Sequence, residues 1–154
     1  MGHIRETSIM AAIGRVEARL SRKPVLVIGK REGRARQVTA QLRHLNLRFR
    51  VEENLYDGLK ELSIDAEGWS LAVLVADDIG GLPIARRSCD WLRAAAAGLP
   101  AIIAGSDAPA LGRPATIWND GPVMVKLPLS AQVFARAVSQ ACGKPPQPSY
   151  VAVA

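Results

Sequence analysis

The sequence predicts an α/β domain in which a parallel sheet is covered by helices on both faces. Three short runs, residues 25–29, 71–76 and 101–105, consist only of aliphatic residues and glycine. Such continuous apolar runs are typical of strands that are buried on both faces. Helix-like segments with apolar residues three and four apart separate these runs. This alternation of strands and helices favours a parallel, doubly wound sheet.

A further strand-like run, LRFRVEE (47–53), alternates apolar and charged residues. This pattern predicts a strand with one exposed face, which suits the edge of a sheet. PVMVKL (122–127) supplies a fifth strand. An edge position for the second strand matches the flavodoxin-like order 2-1-3-4-5.

Four helices are expected between and after the strands, over residues 33–45, 54–62, 83–97 and 130–142. Asn54 is expected to cap the second of them, and Trp69 and Trp91 are predicted to be packing residues. DDIGGLP (77–83) is interpreted as a loop. The segment from 108 to 121 contains two prolines and two glycines, and a helix, a loop and a hairpin all remain open for it.

The chain ends are predicted to lie outside the domain of residues 23–143. Residues 1–22 read as a helix with one apolar stripe, formed by Ile9, Ile13, Val16 and Leu20. This stripe requires a cover, either the domain itself or a second copy, so a homodimer is one possibility. Residues 144–154 form a proline-containing tail that is expected to be flexible.

Composition narrows the class of protein. The chain has 154 residues, of which 49% are hydrophobic and 22% charged, as in ordinary globular domains. No run is as long as the roughly 18 apolar residues of a membrane span, and the N-terminus has no signal-peptide layout. A cytoplasmic location is therefore predicted. The two cysteines and two histidines do not cluster, so neither a metal nor a disulfide is expected.

Ligands of open parallel sheets bind beyond the carboxyl ends of the strands. The polar residues expected there are Lys30, Asp77, Asp78, Ser106 and Lys126. The glycines of the basic turn GKREGR (29–34) match neither GxGxxG nor GxxxxGK(S/T), which are the spacings of the common phosphate-binding loops. No GxSxG nucleophile motif is present. We therefore expect no cofactor and no enzymatic activity.

From Lys23 to Gly143 the chain resembles the receiver domain of two-component response regulators. VLVIGKREGRARQVTAQLRHLN is similar to the first strand and helix of that family. WSLAVLVADDIGGLP is similar to its third strand and LPAIIAGS to its fourth. VMVKLPLSAQVFARAV is similar to its fifth strand and last helix. The resemblance implies a role in bacterial signal transduction.

The chain departs from this family at the residues that carry phosphoryl chemistry. The resemblance implies a pair of Mg²⁺-binding acids after the first strand, where this chain has Gly29 and Lys30. The phosphoryl-accepting aspartate would fall at Val75 and the hydroxyl residue at Gly105, while Lys126 stands one place early before Pro128. An ammonium group at the metal position repels Mg²⁺.

These departures predict a degenerate, pseudo-receiver domain that acts through protein–protein contacts without phosphorylation. Its remnant pocket would consist of Lys30, Asp77, Asp78, Ser106 and Lys126, with Lys30 paired to one aspartate or with the charges solvated and apart. An unidentified signalling protein would bind within residues 108–129, at Trp118, Lys126 and Leu129.

Two alternatives stay open. Asp77 or Asp78 still accepts a phosphoryl group in the first. In the second, the basic loop with Lys30, Arg31, Arg34 and Arg36 binds nucleic acid or a nucleotide, as a net charge of +6 invites. Aromatic residues make up only 5% of the chain, so the stacking platforms of nucleic-acid binders are scarce. Nucleic acid is therefore not the expected partner.

Overall fold

A computed structural model of the protein describes residues 22–109 and 122–143. In chain order, its helices and strands are β1 (Val25–Ile28), α1 (Ala35–His44), β2 (Phe49–Glu52), α2 (Leu55–Ile64), β3 (Leu71–Val75), α3 (Ala76–Ile79), α4 (Leu82–Ala95), β4 (Ala101–Gly105), β5 (Val123–Lys126) and α5 (Ala131–Gly143). A single 3₁₀ turn over Ala66–Gly68 precedes β3.

The five strands form one parallel sheet in the order β2-β1-β3-β4-β5. This order confirms the predicted fold. The prediction that the alternating second strand lies at the edge is also confirmed, because among the described strands β2 pairs only with β1 and none of its residues is fully buried. The three apolar runs form β1, β3 and β4 in the middle of the sheet.

Successive strand residues point to opposite faces of the sheet and therefore build two separate cores. On one face Val27, Val73 and Val125 pack with α1 and α5, including the fully buried Phe134. On the other face Leu26 and Leu74 pack with α2 and α4. Burying one such side chain stabilises the fold by about 1.5–3 kcal/mol, so the sheet is held from both sides.

Residues next to the helices determine where α2 begins and where α3 ends. Asn54 caps α2 as predicted, since its Oδ1 accepts a hydrogen bond of 3.1 Å from the amide of Asp57. The predicted loop after β3 is wrong in part, because Ala76–Ile79 form one helical turn, α3. Gly80 ends this turn with a positive φ, a conformation in which glycine avoids the clash of a Cβ atom.

The two tryptophans predicted to pack differ in the structure. Trp69 is partly buried against the core, and the Arg50 guanidinium lies 5.2 Å from its ring centroid. The prediction for Trp91 is wrong, because this side chain is 47% exposed. The buried stripe of α4 consists of Ala85, Ser88, Cys89 and Leu92, and position 91 falls beside that stripe.

Three predictions fall on residues outside the described ranges: the N-terminal helix with its apolar stripe, the form of residues 110–121 with Trp118, and the C-terminal tail. Within residues 22–109 and 122–143, none of the helices combines the length and the hydropathy that a membrane span requires.

Both cysteines are buried. Burial raises the pKa of the Cys89 thiol in α4 to about 12, and the neighbouring Asp90 carboxylate adds to this effect while Arg93 opposes it. We expect iodoacetamide at about pH 8 to leave Cys89 unmodified in the folded protein, because the thiolate is the reactive form. Peptide mass spectrometry measures this, with urea-unfolded protein as the control.

The raised pKa of Cys89 also makes the stability of the fold depend on pH. The unfolded thiol ionises at its ordinary pKa of about 8.5, whereas the folded thiol stays neutral to a higher pH. Raising the pH above the ordinary value therefore favours the unfolded state, and this contribution to stability is lost as the pH rises towards about 12. In the iodoacetamide experiment, equal alkylation rates of Cys89 in folded and unfolded protein would contradict the raised pKa of this thiol.

Candidate functional site

The candidate site lies where the carboxyl ends of β1, β3 and β4 meet. The loop after β1 contains Gly29 to Arg34, α3 follows β3 directly, and Ser106 follows β4. The structure brings four predicted residues of the remnant pocket together here: Lys30, Asp77, Asp78 and Ser106. Contacts between these segments therefore decide what this end of the sheet can bind.

Asp78 is held by three main-chain N–H groups of the β1 loop and the start of α1. Its Oδ2 accepts hydrogen bonds from the amides of Lys30 and Ala35, both at 2.9 Å. Its Oδ1 accepts one from the amide of Arg34 at 3.0 Å. The carboxylate thus caps α1, where N–H groups have no partner within the helix and a negative charge is favourable.

The sequence of α1 explains why it takes a cap from elsewhere in the chain. Arg34 stands at the N-cap position and makes no side-chain cap hydrogen bond, and the first turn contains no acidic residue. A helix start without serine, threonine, asparagine or aspartate lacks its usual acceptor. Asp78 supplies that acceptor from 44 positions further along the chain.

Two glycines make room for this carboxylate. A Cβ atom on Gly33 would lie 2.6 Å from Asp78 Oδ1, and one on Gly29 would lie 3.0 Å from Oδ2 and 2.9 Å from Val75 Cβ. Such distances are too short for any other residue to fit without a shift of its neighbours. The glycines of GKREGR therefore allow the loop to close around Asp78.

Asp77 points to the neighbouring strand end. Its Oδ1 accepts a hydrogen bond of 3.0 Å from the amide of Ser106, and its Oδ2 accepts one from the hydroxyl of the same residue. The Arg34 Nε atom lies 4.0 Å from Oδ2. Asp77 therefore joins β3 to β4, while Asp78 joins β3 to β1.

Acidic side chains lie close to the arginines of the basic loop and offset much of its positive charge. The Arg31 guanidinium lies 3.7 Å from Glu53 and donates a hydrogen bond of 3.1 Å to the carbonyl of Val51. The amide of Arg31 also donates to Glu53, at 3.0 Å. An open groove of about 660 Å³ beside this loop is lined by both basic and acidic residues: Glu32, Gly33, Arg34, Arg36, Gln37, Asp77 and Asp78.

The predicted pairing of Lys30 with an aspartate takes an unexpected form. Lys30 meets Asp78 through its main-chain amide, and no ion pair of its ammonium group occurs within the described residues. Neither of the two alternatives, a charge pair or separate solvated loops, describes this contact. A main-chain amide is available on any residue except proline, so this link does not depend on the lysine side chain.

The other predicted residues lie at different depths. Lys126 ends β5 with its side chain exposed, and the ion pairs of the described ranges do not include it. Leu129 is partly buried against the core, and its amide donates a hydrogen bond of 2.9 Å to Gln37 Oε1. Ala108, at the start of the predicted contact segment, is buried. Trp118 is outside the described residues.

The Mg²⁺ that the family resemblance implies does not fit these side chains. Mg²⁺ requires several oxygen ligands in near-octahedral geometry. Gly29 and Lys30 supply no carboxylate, both oxygens of Asp78 accept main-chain hydrogen bonds, and both oxygens of Asp77 accept from Ser106. In the part of the chain that the structure describes, no cluster of three acidic, histidine or cysteine side chains is present.

Comparison with known proteins identifies the class of fold. No protein-family model matches the chain, and a search of curated proteins gives no match. A response regulator receiver domain protein from Clostridium thermocellum matches with a TM-score of 0.60 at 13% identity, over 79% of this chain and 94% of that one. The non-phosphorylated HemR receiver domain from Leptospira biflexa matches with a TM-score of 0.57 at 14% identity, over 80% and 96% of the two chains.

A response regulator receiver protein from Burkholderia phymatum is similar as well, with a TM-score of 0.53 at 17% identity over 82% of this chain and 100% of the other. The fold of the chain is therefore the receiver-domain fold, as its sequence resemblance implied. At these identities the likeness concerns the fold alone.

Proposed function

We propose that the chain is a receiver-like signalling domain that binds other proteins without being phosphorylated. The observation that carries this proposal is the use of both aspartates at the tip of β3 as internal ligands. Asp78 fills the β1 loop with a carboxylate, and Asp77 binds Ser106. The chain thus joins these strand ends by its own charges, and no added phosphoryl group is needed to bridge them.

The chemistry of phosphoryl transfer supports the same proposal. The incoming group carries negative charge, which metal ions neutralise in phosphoryl-transfer sites. Here the position that the resemblance assigns to an acceptor is Val75, which is fully buried. The Mg²⁺ ligands that the resemblance implies are replaced by a glycine and a lysine.

Acetyl phosphate tests this proposal. We expect the intact mass of the full chain to stay unchanged after incubation with acetyl phosphate and Mg²⁺, while a phosphorylatable receiver in the same reaction gains one phosphoryl group. The Asp77→Ala and Asp78→Ala variants, treated in the same way, identify the site of any adduct. A phosphoryl adduct on the unaltered chain that disappears in either variant would overturn the proposal.

The proposed partner is a signalling protein that binds at the β5 end of the sheet, at Lys126 and Leu129. Trp118, which is outside the described residues, is proposed as a further contact. The exposed side chain of Lys126 supports this placement, whereas the partly buried Leu129 would contribute mainly by holding its loop.

A cytoplasmic location and the absence of catalytic activity belong to the same proposal. So does a homodimer contact by the N-terminal apolar stripe.

The basic loop supports a protein partner over nucleic acid. Arg31 and Arg34 lie beside Glu53 and Asp77, and Glu32 adds a further negative charge to the groove. Nucleic-acid affinity comes largely from uncompensated cations that neutralise phosphates. The acidic neighbours of Arg31 and Arg34 therefore weaken the attraction for phosphates that the overall net charge suggested.

A further inference from the structure

Among the described residues, every large apolar side chain that is exposed lies on the two long helices of one face of the sheet. Tyr56 and Ile64 of α2 are 84% and 72% exposed, and Ile84 and Trp91 of α4 are 38% and 47% exposed. Single exposed apolar residues are ordinary, but four of them on the same face of the sheet make that face a candidate interaction surface. We call the outward surface of α2 and α4 the α2–α4 face.

Three of these side chains flank the groove between α2 and α4. On α4 the Arg86 guanidinium reaches Met124 of β5, 4.0 Å from its sulfur. Helical spacing places Ile84 and Trp91 on the opposite flank, which faces α2. On α2, Glu61 pairs with Arg50 of the edge strand β2, and Tyr56 lies on the other flank, towards α4.

The two sides of this groove carry opposite charge. Residues 52–67, around α2, contain six carboxylates and one lysine: Glu52, Glu53, Asp57, Glu61, Asp65, Glu67 and Lys60. Glu53 and Glu61 are paired with Arg31 and Arg50, so the acidic character of this side comes from the other four carboxylates. The α4 helix contains three arginines and one aspartate: Arg86, Arg87, Arg93 and Asp90. The face is thus acidic towards β2, apolar in the middle and basic towards β5.

We propose that the α2–α4 face binds the same face of a second copy in a symmetric homodimer. A two-fold axis in the interface, parallel to the groove, places the acidic side of each copy over the basic side of the other and the apolar residues against each other. A two-fold contact is formed by the same patch on both subunits. This patch contains both the charge and its complement, so the second copy is the partner that it fits.

The alternative axis, across the groove, is disfavoured by the same charges. It would stack α2 on α2 and α4 on α4, and like charges opposite each other cost binding energy. Asp57 and Arg87 are both exposed and both point outward from their helices. In the proposed dimer, Asp57 of each copy lies near Arg87 of the other, so each dimer contains this charge pair twice.

A charge-reversal experiment on the full chain tests the dimer. Sedimentation velocity at low salt measures the dissociation constant of the unaltered chain and of the Arg87→Glu and Asp57→Arg variants. Each variant alone places like charges opposite each other twice, so we expect dimerisation to weaken about tenfold or more. In an equimolar mixture of the two variants both pairs are again of opposite charge, and we expect the mixed dimer to recover most of the original affinity.

Two further variants make the result specific to this face. Arg136→Glu makes the same charge change on the exposed side of α5, on the opposite face of the sheet, and we expect no effect on dimerisation. Trp91→Ala leaves all charges intact and is expected to weaken the dimer. Circular dichroism shows whether each variant is folded.

A monomeric unaltered chain would overturn the proposal. So would a dimer that persists in both charge variants, as expected if the N-terminal stripe alone holds it together, or a mixture that dimerises no better than either variant. These outcomes are independent of phosphorylation, which the acetyl phosphate experiment tests separately.

Discussion

Asp78→Ala is expected to lower the free energy of unfolding by about 2–3 kcal/mol. The substitution removes the acceptor of three main-chain hydrogen bonds, two of which belong to the start of α1. It also removes the negative charge at the positive end of the helix dipole, a favourable interaction. Two of the three bonds are exposed, so water replaces part of what is lost. Urea unfolding followed by circular dichroism measures the change.

Two variants serve as controls for Asp78→Ala. Asp78→Asn keeps one acceptor oxygen but turns an amide group towards main-chain N–H donors, so we expect about half of the loss. Asp90→Ala removes an exposed aspartate 3.9 Å from Arg93, and we expect a change below about 0.5 kcal/mol. A loss at Asp78 no greater than that at Asp90 would show that the carboxylate does not cap α1.

Gly33→Ala is expected to cost about 1–2 kcal/mol. Its Cβ atom would lie 2.6 Å from Asp78 Oδ1 and 3.0 Å from Cγ. The carboxylate cannot move away without lengthening its hydrogen bonds to the β1 loop. The backbone at Gly33 does not have a positive φ, so the cost arises from the contact with Asp78 and not from the conformation of the alanine. Urea unfolding again provides the measurement.

A double-mutant cycle separates the cost of the contact with Asp78 from any other effect of alanine at position 33. In the Asp78→Ala background the clash is gone, and Gly33→Ala is expected to be neutral or stabilising by up to about 1 kcal/mol, because alanine restricts the unfolded chain more than glycine does. Gly143→Ala, where the added Cβ would meet nothing within 4 Å, is the matched control. An equal cost of Gly33→Ala in both backgrounds would refute the close fit between Gly33 and Asp78.

The fold was predictable because its signals are local and repeated. Uninterrupted aliphatic runs identified β1, β3 and β4, and the alternation of Phe49 and Val51 with charged residues identified the edge strand. The cap at Asn54 was predictable because the residue that caps α2 stands next to the helix. These features depend on neighbouring residues, which a single sequence displays directly.

The site was predictable only as a set of strand ends. Topology grouped Lys30, Asp77, Asp78 and Ser106, but the partner of each depended on contacts between residues far apart in the chain. One signal was present: α1 lacks a capping residue and an acid in its first turn, so an outside acceptor was required. The exposure of Trp91 was missed because an aromatic residue in a helix suggests burial, whereas the stripe of Ala85, Ser88, Cys89 and Leu92 leaves position 91 at its side.

The cap of α1 also makes the stability of this helix depend on the docking of β3. Its acceptor is separated by 43 to 48 positions from the amides that it binds, so a nascent segment holding only β1 and α1 lacks it. The first turn of α1 gains its full stability only after β3 has docked beside β1, a non-local step of the kind that slows folding. In native-state hydrogen exchange, the opening of that first turn and the detachment of the β3 tip should therefore belong to one cooperative unit.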